Sequence, residues 1–421
     1  MPLTRRSLLS RGALLVTAGL TAPSFLTRTA VALSPETATS PVDQAQRSKI
    51  LVALQMTGGN DGLNTLIPFA EPAYYQYRSS LAIPRSDVLP LTDSVGLSPQ
   101  LGKLKDLFDA GKVAVVQGVG YPNPNRSHFR SMDIWHSARP DIFERSGWLG
   151  RYLDACQCGR DQTLPAVSAG DQLNTMFYTE STLVPAVATI GAFSIHLDTG
   201  QRNDRQLQIQ TLRNIYNQAG NWSPHEVLIR KTTLQALDGA EQLQAAAAAY
   251  HSPVTYPENN PLARQLQMVA QIISANLGTR LFSVQLAGFD THAQQFNQQA
   301  NLLRELDEAV DAFEQDLAAM GKQDDVVVMT FSEFGRRVAQ NGSNGTDHGT
   351  AEPMFLIGSS KTVQPGLHGT YPSLDDLDDN GDLKFSTDFR SVFAAVLRDH
   401  LGTDPAPVLA GSFDPLGVIR S

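Results

Sequence analysis

Five predominantly apolar runs of strand length constrain this chain more than any other feature: ILVALQM from Ile50, VAVVQGV from Val113, RLFSVQLAG from Arg280, DVVVMTF from Asp325 and MFLIG from Met354. Strands read as continuous apolar runs, without alternation, when helices bury both of their faces. Between the first two runs, PQLGKLKDLFDAGK places Leu101, Leu104, Leu107 and Phe108 on one helical face, and Gly111 stands just past its end as a stop. NLLRELDEAVDAFEQDLAAM does the same between the third and fourth runs. Strand, helix, strand in that order predicts a parallel sheet.

The expected fold class is therefore α/β, a three-layer sandwich with a mostly parallel central sheet. STDFRSVFAAVLRDHLG closes the chain as an amphipathic helix, with Ser386 as its expected cap. About residues 200–276 are helix-like and rich in Gln and Ala, and read as a helical insertion packed on the sheet. The fifth run has its own constraint. Only GRRVAQNGSNGTDHG and a few further residues separate it from the fourth, too short and too rich in Gly and Asn for a helical crossover. It should run antiparallel to its predecessor or return across the mouth of the sheet.

The first 32 residues read as an address. Arg5 and Arg6 precede the apolar GALLVTAGLTAPSFL, and Ala30–Ala32 offers a small-x-small cleavage site. The segment holds four arginines and no acid, and resembles a twin-arginine export signal. The apolar part is too short and interrupted for a stable span. Residues 33–48 read as a linker, and 49–421 as a single domain. The expectation is a periplasmic or secreted protein that meets the twin-arginine export machinery, with no stable membrane span after cleavage. A formal charge of −9 gives no support to nucleic acid as a partner. Two cysteines, Cys156 and Cys158 in CQC, are too tightly spaced for an ordinary disulfide loop and too few for a zinc site; they read as structurally neutral.

Ligand sites in open α/β sheets lie at the carboxyl ends of strands. The residues flanking these runs are polar and chemically capable. TGGNDGLN carries Asn60 and Asp61, NPNRSHF carries Arg126, Ser127 and His128, and FDTHA carries Asp290 and His292. FSEFGRR carries Ser332, Glu333 and Arg336, and TDHG, ahead of the fifth run, carries Asp347 and His348. Carboxylate and imidazole together suit a divalent metal. DLDDNGDLKFST begins like an EF-hand loop but has Thr387 where a bidentate Glu is needed, so it reads as a surface turn. No G-x-S-x-G elbow and no P-loop occur.

In this order the pieces MTGGNDGLNTLIP, NRSHFRSMDIWHSA, GFDTHA, SEFGR and TDHG resemble the exported, sulfatase-like proteins grouped as domain of unknown function 1501, within the alkaline phosphatase-like superfamily. The resemblance covers roughly residues 48–418. It implies an alkaline phosphatase-like fold with two neighbouring metal positions. Asp290, His292 and His348 resemble one ligand set and Asp61 with Glu333 the other, with Asp347 available in place of a missing ligand. Ser127 falls at the superfamily's nucleophile, and Arg126 beside it would hold an anionic substrate. His128 stands next to Ser127 as a further candidate catalytic group. Phe334 occupies a slot where the superfamily has a ligating histidine.

The implied cofactor is one or more divalent ions, with Zn, Mn, Mg and Ca not distinguished. The implied activity is hydrolysis of phosphate or sulfate monoesters or related anionic esters. The alternatives are a non-catalytic metal- or ligand-binding protein, or a phosphomutase or transferase on the same fold.

Overall fold

The computed structural model describes residues 48–156, 162–179, 181–191 and 202–420. The expected leader and most of the linker lie outside the described residues. Among the described residues twelve strands are formed. Nine make one sheet: β1 (Ile50–Thr57), β5 (Val113–Gly120), β6 (Ala166–Ala169), β7 (Ala186–Val187), β8 (Leu281–Ala287), β9 (Val326–Phe331), β10 (Glu352–Ile357), β11 (Gly366–His368) and β12 (Thr387–Asp388). The others, β2 (Leu66–Ile67), β3 (Leu89–Pro90) and β4 (Gly96–Leu97), form a small separate sheet.

The large sheet runs β11-β5-β10-β9-β1-β8-β6-β7, with β12 also on β5. β1 lies at its centre, parallel to β8 and to β9. β10 is the reversed strand, antiparallel to both β9 and β5. The short glycine-rich link before it leaves no room for a crossover, so the chain turns back at the same end of the sheet.

Alternation along β1 shows why its run is apolar on both faces. Val52, Leu54 and Met56 face one core, under the helices Gly102–Asp109, Pro261–Ser274 and Gln295–Ala319. Leu51 and Ala53 face the other, under His128–Ser137, Trp148–Cys156 and Phe389–Ala395. Each larger aliphatic side chain buried this way contributes about 1.5–3 kcal/mol. The result is the expected three-layer sandwich.

Three helices fill the expected insertion: Arg202–Tyr216, Pro224–Ala249 and Pro261–Ser274. Ser223 and Glu226 form a capping box at the second, and Asn260 caps the third. Tyr250 and Tyr256 both donate to the buried carboxylate of Asp316, at 2.5 and 2.9 Å, which ties this part to the helix Gln295–Ala319.

Two expectations need correcting. The closing helix is capped by Asp388, whose side chain accepts from the Arg390 amide, and not by Ser386, whose hydroxyl donates to Thr370 O. Cys156 is disulfide-bonded and not a neutral thiol, while Cys158 lies outside the described residues.

One buried group makes a pH prediction. Glu314 is buried on the helix Gln295–Ala319, and neither carboxyl oxygen has a hydrogen-bond partner among the described residues. Burial pushes its carboxyl up to about 7. The folded protein thus holds this proton more tightly than the unfolded chain does. The resulting stability is full below the ordinary carboxyl range and is lost as pH rises through about 7. Glu314→Gln removes that loss. Urea unfolding should show the variant more stable than wild type by up to about 3 kcal/mol at pH 8 and by little at pH 4. An equal gain at both pH values would contradict this.

Candidate metal centre

The site is built at the carboxyl ends of β1, β8 and β9, and two glycines make the approach possible. Gly58 has φ +121°, and a Cβ there would meet the Asp290 amide nitrogen at 2.4 Å. Beyond β9 the chain folds back on itself. Arg337 N donates to Asp347 O and Gly349 N to Gly335 O, so Arg336 and His348 form an antiparallel bridge. A Cβ on Gly349 would meet Arg336 C at 2.4 Å. This return brings Glu333 and His348 to one end of the sheet although 14 residues separate them.

Three imidazoles converge on one carboxylate oxygen. Asp290 Oδ1 lies 3.0 Å from His292 Nε2, 3.2 Å from His348 Nε2 and 3.5 Å from His128 Nε2. His292 Nε2 and His348 Nε2 are 2.9 Å apart. His128, Asp290 and His348 offer ligand atoms that all lie within 4.8 Å of one another.

Each ring's other nitrogen faces an acceptor. His128 Nδ1 is 2.9 Å from Glu333 Oε1, His292 Nδ1 is 3.2 Å from Asp347 Oδ1, and His348 Nδ1 is 2.8 Å from Arg126 O. Carboxylate and carbonyl oxygens only accept, so each Nδ1 is placed to donate, and in a neutral ring that leaves the Nε2 lone pair for a ligand. Three such nitrogens and a carboxylate gathered in this way make a donor set that a cation can occupy. A ligating histidine held by a carboxylate or carbonyl at its far nitrogen is the usual pattern around a metal, and here all three rings show it. The four separations given above, 2.9, 3.0, 3.2 and 3.5 Å, bracket the roughly 3.3 Å edge of a tetrahedral shell with bonds of about 2.0–2.1 Å. The residues fit a metal.

The surroundings tune the donors. Burial alone would raise the Asp290 carboxyl, but the hydrogen bond from Arg336 helps to bring it below its ordinary value. Burial lowers His348, while the hydrogen bond to Glu333 raises His128. The Asn341 side chain, bonded to Asp347 Oδ1 at 3.1 Å, holds that carboxyl low. Arg336 is fully buried. It donates to Asp290 Oδ1 at 2.7 Å and to the carbonyls of Gly58, Gly59, Phe289 and Thr346, tying the surrounding loops together. The Phe334 ring is 4.6 Å from that of His348 and 4.9 Å from that of His128, and walls the centre.

The structure therefore distributes the expected residues differently from two ligand sets. Asp290, His292 and His348 come together as expected. His128 joins them, turned to Glu333 and Asp290. Glu333 and Asp347 orient rings from behind; Glu333 Oε1 also accepts the Gly58 amide at 2.9 Å. Asp61 belongs elsewhere. It is fully buried, ion-paired with Arg78 at 2.5 Å and bonded by Gln295. Arg126 is committed to Asp382, with Nε at 2.7 Å, and to Asp378 at 3.0 Å, which directs its guanidinium into the Asp376–Thr387 turn. Ser127 is the exposed N-cap residue of His128–Ser137, and its hydroxyl makes no cap bond. Its neighbours on both sides touch the centre. Asn341 and the Arg126 carbonyl had no signal in the sequence, since neither residue type at those positions marks a metal site.

A mostly parallel α/β sandwich with a three-histidine, one-carboxylate cluster at its strand ends defines an α/β protein with a candidate metal centre. The chain belongs to the family described as Protein of unknown function (DUF1501), which matches residues 114–409. Comparison with curated proteins gives no match. Similar solved structures include the lipoteichoic acid synthase LtaP from Listeria monocytogenes, 8% identical over 93% of this chain and 81% of that one, with a TM-score of 0.44. A protein in the alkaline phosphatase superfamily from Vibrio parahaemolyticus is 11% identical over 93% and 76%, with a TM-score of 0.38. The C-terminal periplasmic domain of EcEptC from Escherichia coli, in complex with Zn, is 11% identical over 76% and 77%, with a TM-score of 0.34. Among the described residues, no helix is long and apolar enough to cross a membrane.

Proposed function

We propose that this protein is an exported, metal-dependent hydrolase of phosphate or sulfate esters, with Ser127 as its nucleophile. The carrying observation is the set of three histidines, each with Nδ1 held by an acceptor and Nε2 aimed at Asp290. His128, His292, His348 and Asp290 would hold one ion. Three nitrogens favour Zn or another transition metal over Mg or Ca. Such an ion supplies Lewis acidity, polarising a phosphoryl or sulfuryl oxygen and lowering the pKa of a nearby hydroxyl.

The protein's own residues do the rest. Glu333, Asp347 and the Arg126 carbonyl keep the rings in one tautomer. Arg336 holds Asp290 in place, and Phe334 closes the inner wall. Ser127 presents an exposed hydroxyl between Arg126 and His128, both of which contact the cluster.

Metal-analysed protein, assayed on aryl phosphates and sulfates, tests the reading. Activity should fall by at least about 100-fold in Ser127→Ala while metal content stays at the wild-type level. Because Ser127 is exposed and caps nothing with its side chain, the variant should fold. Activity unchanged by the substitution would remove Ser127 from its role. No activity in metal-replete wild type would favour a metal-binding protein without this chemistry.

A further inference from the structure

We propose that the centre selects esters bearing a single negative charge, sulfate monoesters or phosphate diesters, over phosphate monoester dianions. This rests on the hydrolase reading and narrows its substrate class. The charges around the cluster carry it. Asp290, Glu333 and Asp347 contribute three carboxylates, and Arg336 one guanidinium. With a divalent ion and neutral imidazoles the inner group sums to zero. Further out, Asp61 cancels Arg78, and Asp378 with Asp382 cancels Arg126 with Arg337.

Arg336 and Arg126 are also committed as hydrogen-bond donors, while Arg337, 42% exposed, is set against the buried Asp382 at 3.8 Å. Arg336 has no exposed side-chain surface and gives its donors to Asp290 and four carbonyls. Arg126, the residue next to Ser127 in the chain, is held by two aspartates. The side chains that do reach solvent at the rim include two carboxylates, Asp290 at 49% and Asp347 at 53% exposure. A dianion would therefore meet the ion together with two rim carboxylates and no fork from Arg336 or Arg126, on a chain of formal charge −9. A monoanion needs only the ion to balance it. In the net reaction, water adds hydroxyl to phosphorus or sulfur, the ester P–O or S–O bond breaks, and the proton goes to the departing oxygen.

The test uses two near-isosteric probes that differ by one charge at pH 8, methyl sulfate and methyl phosphate. Both are titrated into the full chain loaded with Co²⁺, at fixed ionic strength, and read by the visible spectrum of the metal. Methyl sulfate should bind at least as tightly as methyl phosphate. Tighter binding of methyl phosphate, or no spectral change with either, overturns the inference.

Turnover is measured separately on bis(4-nitrophenyl) phosphate, 4-nitrophenyl sulfate and 4-nitrophenyl phosphate. One of the two monoanions should exceed the dianion in kcat/KM by about tenfold or more, and which one does distinguishes diester from sulfate. A faster dianion overturns the inference and leaves the hydrolase reading standing. Absence of all turnover overturns the hydrolase reading, while the spectral titration still decides the charge preference.

Discussion

Protein purified with His348 replaced by alanine will carry less than about a tenth of the wild-type metal. The substitution removes the nitrogen that lies 2.9 Å from His292 Nε2 and 3.2 Å from Asp290 Oδ1, so one corner of the donor set disappears. Loss of a residue that merely orients a ligand costs about 10–100-fold in affinity, and loss of the ligand itself should exceed that. Elemental analysis gives the content, and calorimetric titration with Zn²⁺ gives the change in Kd. Two controls separate ligand loss from misfolding. Thermal unfolding of the metal-free variant should match that of metal-free wild type within a few degrees, because the imidazole is partly exposed and lies in a loop. Glu333→Gln should sit between the two proteins, since it keeps all the donors but weakens the bond that orients His128. Equal metal in wild type and His348→Ala would mean that the ion is held elsewhere and would dismantle the four-residue centre.

Much of this centre could be read from the sequence because topology does most of the placing. Polar residues that follow buried parallel strands must gather at one end of the sheet, so Asp290, His292 and Glu333 share a mouth. His348 joins them because its glycine-rich link is too short to reach the far end, and β10 runs antiparallel as that short link requires. What the sequence does not carry is the direction of each side chain within the mouth. Ser127 and His128 are adjacent, and the helix that starts between them turns one toward Asp290 and leaves the other at the surface. Glu333 follows its strand as a ligand would. Yet it lies behind His128, because the Gly58 amide and the Nδ1 hydrogen both claim the same oxygen. Arg126 stands beside the candidate nucleophile, and only the folded turn around Asp378 and Asp382 shows that its charge is already taken.

Asp61 is the sharpest case of this kind, and Asp61→Ala should destabilise the protein strongly while leaving its metal content unchanged. Its carboxylate and the Arg78 guanidinium are both fully buried and 2.5 Å apart. Arg78 also donates to Asn64 Oδ1 and to the carbonyls of Val338 and Arg337, so it is fixed and cannot turn to water. Removing Asp61 leaves a buried, uncompensated cation, and breaking a buried pair from one side costs about 3–5 kcal/mol. Gln295 loses an acceptor at the same time. The partner lies 17 residues further along the chain, outside every motif that suggested a metal site, which is why Asp61 resembles a ligand in the sequence. The double variant Asp61→Ala with Arg78→Met removes both charges and should recover a large part of the loss. Urea unfolding of the three proteins measures the first effect and elemental analysis the second. A fall in metal content in Asp61→Ala protein that remains folded would return Asp61 to the ligand set and make the centre larger than four residues.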